Sequence, residues 1–196
     1  MNDFYEVIRV VHILSFVFMS IPLFNLIVVN ERALMGASFN YHIDRYMENI
    51  ISHGAPRCFV FQATVLISGI LLLIYGPLGI EALWTNWVVL VKTILLFVLI
   101  GSLSYVHFTL QPRIEAILSN VKPDGIVAEN IMAELKPFRL RRKRMASFCL
   151  FVVLTIIILG VQVYSLFNPF LTAVLLILAG LFSWRNYGIL NRFGWM

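Results

Sequence analysis

Residues 87–108 read WVVLVKTILLFVLIGSLSYVHF, and Lys92 is the single formal charge in the run. A helix of this length covers about 33 Å at 1.5 Å per residue. The hydrocarbon core of a bilayer is about 30 Å thick and takes about 20 apolar residues to cross. The run therefore predicts a membrane-spanning helix. Similar runs lie on either side of it, at residues 10–29, 58–75, 146–167 and 169–184. Asn168-Pro169 separates the last two, because proline disfavours helix in the residue before it. The expected fold is an all-α integral membrane bundle of five spans in one transmembrane domain over residues 1–196. The two long segments at 30–57 and 111–145 mix apolar with charged residues. They are expected to form interfacial helices.

Composition agrees. Of 196 residues, 60% are hydrophobic and 13% charged, and the mean hydropathy is +0.88. Soluble domains carry about a quarter charged residues. This balance excludes a secreted disulfide scaffold, a disordered tail and an ordinary soluble enzyme. The first span is expected to stay in place as a helix. Its leader carries Asp3 and Glu6, and no small-residue cleavage site follows.

The net charge of +5 has a topological pattern. Of the 15 Lys and Arg, 13 fall between spans one and two, between spans three and four, or after span five. Arg9 lies on the other side, and Lys92 lies within a span. The positive-inside rule then gives an N-out, C-in orientation, as in a bacterial cytoplasmic (inner) membrane. The run RLRRKR at 139–144 reads as an orientation signal that also suits anionic lipid. Nucleic acid is not an expected partner. Cys58 and Cys149 sit at the inner ends of spans and read as packing residues.

All ten Asp and Glu lie outside the spans, so the embedded polar residues stand out. A charge in the bilayer is costly and usually has a task. His12 and Lys92 fall at similar depth in the outer half. His107 lies 15 residues past Lys92, about 22 Å further along a helix. His53 precedes span two on the same inner side, with Arg57 four residues on and Arg113 after span three. Imidazole is a common haem-iron ligand, and arginines pair with carboxylates such as propionates. The expected iron ligands are thus His12, His107 and His53, with Arg57 and Arg113 beside a haem b, one or two per chain. Lys92 is the candidate catalytic group. No C-x-x-C-H is present, so covalent haem attachment is excluded. His42 reads as an interfacial hydrogen-bonding residue, and Gln162 as a bond to a neighbouring helix. Ser68-Gly69 and Ala179-Gly180 offer close-approach points between helices.

The order of features carries a family resemblance. Residues 7–24 read VIRVVHILSFVFMSIPLF, residues 45–73 RYMENIISHGAPRCFVFQATVLISGILLL and residues 86–107 NWVVLVKTILLFVLIGSLSYVH. This pattern resembles the superfamily of HemJ-type protoporphyrinogen oxidases and CopD-type copper-resistance membrane proteins. The matching positions are His12, Met47 with Glu48, Pro56 with Gly69, and Trp87 with Lys92, over residues 5–110. The resemblance implies a b-type haem, with His12 and Lys92 as its important residues. The chain departs from the pattern at Phe18 and Ser20 or Pro22, at His107, which is displaced by about one turn, and in its fifth span.

Four functions fit these residues. The first is transmembrane electron transfer by a haem-b protein, as a subunit of a respiratory or redox complex. The second is HemJ-type oxidation of protoporphyrinogen IX, with a quinone or oxygen as acceptor. The third is a cofactor-free accessory subunit packed against protein partners. A copper importer using Met19 and His12 is the fourth.

Overall fold

The computed structural model describes residues 2–30, 41–119, 121 and 129–189. They form α1 (Asn2–Asn30), α2 (Tyr41–Tyr75), the short α3 (Ala82–Thr85), α4 (Trp87–Tyr105), a π-helical turn (Val106–Leu110), α5 (Gln111–Ser119), α6 (Glu129–Val161) and α7 (Pro169–Ile189). Five helical stretches are long and apolar enough to cross a membrane, one at each sequence-predicted span.

Three stretches are longer than a bilayer requires. Helix α2 has 35 residues and α6 has 33. Helix α4 runs through the π turn into α5 without a break, so Trp87–Ser119 also has 33 residues. Each is about 50 Å long at helical rise, some 20 Å more than the hydrocarbon core. The surplus of all three lies at one end of the bundle, here called the basic end; the end carrying α3 is its opposite. The segments expected as separate interfacial helices are thus extensions of the spanning helices. Pro56 and Pro137 lie inside α2 and α6 without ending them. A proline costs a helix one hydrogen bond and adds a clash, which packing across three helices offsets. Residues 31–40 and 122–128 of those segments lie outside the described residues.

Two boundaries have local causes. Asn86 caps α4, its side chain accepting from the amides of Val88 and Val89 at 3.0 and 3.3 Å. Asn168 does the same for α7, accepting from the Phe170 amide at 2.9 Å. Helix α6 stops at Val161, six residues before the end expected from hydropathy. Gln162 turns the chain there. Its Nε2 donates to the Ile158 carbonyl at 3.1 Å, and its Oε1 accepts from Thr172 Oγ1 of α7 at 3.0 Å. The expected helix-to-helix bond of Gln162 is therefore present, and it fixes the α6–α7 corner.

Helix α6 is central: it touches α1, α4, α5 and α7, while α1 lies along α2. The main core sits where α1, α2, α4 and α6 meet, built from Met19, Cys58, Val65, Leu96, Leu99, Val152, Val153 and Ile156. Cys58 donates to the Met19 carbonyl, so both residues serve packing. A second small core of Ile114, Leu118 and Leu135 joins α5 to α6 at the basic end. At the α3 end the hydroxyls of Tyr5 and Tyr164 meet at 2.9 Å, tying α1 to the α6–α7 corner.

Candidate functional site

Near the α3 end, His12 of α1 faces α2. Its Nδ1 lies 2.9 Å from Ser68 Oγ. Ser68 is buried and also donates to the Thr64 carbonyl of its own helix at 2.6 Å. The next residue is glycine for a steric reason: a Cβ at Gly69 would stand 3.2 Å from His12 Cε1. Ser68-Gly69 is thus a close-approach point, as its small side chains imply, and what approaches is the imidazole ring. Lys92 of α4 lies within electrostatic range of His12. It makes no hydrogen bond or ion pair among the described residues. Its Nζ packs over Gly160 of α6, 3.5 Å from where a Cβ would be. Histidine, serine, glycine and lysine from four segments therefore converge at one depth.

His107 lies at the other end of the span, inside the π-helical turn. A π turn inserts one residue into an α-helix and often marks a functional position. The ring sits between Phe59 of α2, at 5.9 Å, and Phe108, at 4.8 Å. Its Nδ1 is buried without a hydrogen-bond partner among the described residues. The residues expected to join it are all exposed. His53 is exposed and its Nδ1 bonds the Asn49 carbonyl of its own helix at 2.8 Å. Arg57 is exposed. Arg113 is also exposed and lies 6.0 Å from the Phe138 ring. No ring contact or hydrogen bond links His53 to His107 among the described residues. His42 is exposed on the first turn of α2, its ring against Tyr41.

Below His107 the basic end holds a buried ionic network. Arg142 of α6 binds Glu48 of α2 with both Nη atoms, at 2.5 and 2.9 Å. Both residues are 1% exposed. Gln111, the first residue after the π turn, accepts from Arg142 at 2.9 Å and donates to Glu48 at 3.3 Å. Arg139 pairs with Asp44 and lies 3.3 Å from Glu48. Arg141, by contrast, is exposed and donates to Tyr105 Oη at 3.1 Å. Two residues of the basic run are therefore more than an orientation signal. They neutralise two carboxylates on α2 inside the protein, as buried charges require.

Gln62 is a further polar residue that sequence reading passes over. It is buried in α2, and its Oε1 has no partner among the described residues. An amide in an apolar run is a signal of the same kind as Gln162, and it falls between the His12 and His107 levels.

The donor set at His12 fits one axial histidine. A metal-bound imidazole usually has its other nitrogen held by a second group, and Ser68 holds Nδ1 here. No second imidazole lies at that depth. Among the described residues no three His, Cys, Asp or Glu side chains converge as a metal site. Comparison with known family profiles, curated protein sequences and solved structures gives no match.

Proposed function

We propose that this chain is an integral membrane haem-b protein that carries electrons within a membrane redox complex, with His12 as the iron ligand. The observation that supports this is the Nδ1–Ser68 Oγ bond of 2.9 Å. It fixes the ring, selects its orientation and leaves Nε2 as the coordinating atom. Gly69 allows the ring to approach α2 closely. Bound haem b supplies one-electron iron chemistry. Lys92 places an amine donor in the same layer and orients an acceptor there, such as a porphyrin carboxylate or a quinone oxygen. His107, with its buried and unpartnered Nδ1, is the candidate ligand for a second haem. Its level lies nearer the basic end.

The presence of Lys92 also favours a second reading, HemJ-type protoporphyrinogen oxidation, in which the lysine holds the substrate's carboxylate. In both readings the protein sits in a bacterial cytoplasmic membrane with the basic end inside.

A reduced-minus-oxidised spectrum of the purified protein, with haem counted by pyridine haemochrome, tests the proposal. Wild type is expected to show a b-type signal. His12→Ala is expected to lose at least nine-tenths of the haem at that site, and Ser68→Ala to keep haem with a shifted signal. His42→Ala should retain the wild-type spectrum. Full haem retention in His12→Ala rejects the assignment. Oxidation of protoporphyrinogen that Lys92→Ala abolishes, with haem retained, would favour the second reading.

A further inference from the structure

At the basic end α6 and α7 leave between them a groove of about 310 Å3. Its walls are Arg144, Phe148 and Phe151 from α6, and Gly180, Ser183 and Trp184 from α7. These residues are ordered by depth. Arg144 closes the basic run where the apolar part of α6 begins. Phe148 and Phe151 lie one and two turns deeper. Trp184 is 15 residues past Pro169, about 22 Å along α7, and it is 69% exposed. That is the level at which tryptophan marks the membrane–water interface. Gly180 lies one turn deeper on the floor, where a Cβ would rest in van der Waals contact with the Phe151 ring at 3.7 Å. The groove is therefore cationic at its mouth and apolar along its length.

An independent feature lies in its wall. Ser183 is 3% exposed, yet its Oγ has no hydrogen-bond partner among the described residues. Its carbonyl is occupied, accepting from Ser147 Oγ at 2.6 Å. A buried hydroxyl without a partner calls for an explanation, and an oxygen atom of a bound molecule provides one. Arg185, exposed beside Trp184, adds positive charge at the same level.

We propose that this groove is a binding site for an anionic phospholipid of the leaflet at the basic end. The phosphate sits at Arg144, the ester region reaches the Ser183 hydroxyl, and an acyl chain runs along Phe148, Phe151 and Gly180. A zwitterionic headgroup places its own cation beside the phosphate and gains less from Arg144, so the site favours a net negative headgroup.

Native mass spectrometry of the full-length protein tests this, with phosphatidylglycerol and phosphatidylcholine of the same acyl chains offered at equal concentration. Phosphatidylglycerol is expected to be retained preferentially. Arg144→Gln is expected to lower its occupancy about fivefold, the effect of one basic residue at an anionic surface. Lys136→Gln removes the same charge from an exposed position of α6 outside the groove and should leave occupancy unchanged. Gly180→Leu fills the groove and should lower retention of both lipids. Equal retention of the two lipids overturns the proposal. So does a loss in Lys136→Gln as large as in Arg144→Gln, or wild-type retention in folded Gly180→Leu. If Gly180→Leu does not fold, the two charge variants decide.

Discussion

Glu48 accepts from the two Nη atoms of Arg142 and from Nε2 of Gln111, and lies 3.3 Å from Arg139. With 1% of its surface exposed, it has no water to replace them. Removing one partner of a buried ion pair costs about 3–5 kcal/mol, because the remaining charge stays buried. Glu48→Gln is therefore expected to lower the thermal unfolding temperature in detergent markedly. Glu48→Leu combined with Arg142→Met should lose less than the single change, since it leaves neither charge. A Glu48→Gln melt that overlays the wild type would show that the pair is not what joins α2 to α6. Half of this site is legible in the sequence. Asp44 and Glu48 are four residues apart and share a helix face, as do Arg139 and Arg142, three apart. That the two faces meet is not legible, because 94 residues separate Glu48 from Arg142. The charge count of the RLRRKR run gives the same topological signal wherever its side chains point.

At the level of elements, the π turn sets the rotation of everything after it. It carries one residue more than an α-helix would, which turns the following helix by about 100°. Gln111 then reaches Arg142, and Ile114 and Leu118 reach Leu135. Deleting the exposed Phe108 should restore an α-helix and rotate these three residues away from α6. The expected outcome is new protease cleavage within 111–119 and a lower unfolding temperature, while the His12 level is unaffected. An unchanged cleavage pattern would mean that the rotation is not set there. Hydropathy located the five spans but not the true helix lengths, for a physical reason. A hydropathy window ends where polar residues begin, whereas a helix ends where its backbone hydrogen bonds stop. Helices α2 and α6 continue into polar sequence, where Arg142 and Arg139 of one pair with Glu48 and Asp44 of the other. The opposite error occurs at 162–167, where the residues are apolar enough but Gln162 diverts the chain.

For the whole molecule, the positive-inside argument predicts opposite exposure of the two ends. Cysteine introduced at Glu81 should react with an impermeant maleimide added to intact cells. Cysteine at Lys136 should react only after the membrane is opened. The reverse pattern would invert the bundle and place His12 near the cytoplasmic face. Native Cys58 is buried and Cys149 is partly so, which keeps the background low.

The sequence alone determined the all-α class, five helices long and apolar enough to cross a membrane, and the His12, Lys92 and His107 that interrupt them. All three follow from local properties: how many apolar residues run together and which polar ones interrupt them. The tertiary structure decided which of those residues meet. It set His12 against Ser68 and Gly69, left His53, Arg57 and Arg113 exposed, and drew two arginines of a run that reads as a surface signal into ion pairs with α2. Those outcomes depend on helix rotation and on contacts between residues far apart in the chain. Apolar content does not encode rotation in a membrane, because a lipid-facing side chain and a core side chain can be the same leucine.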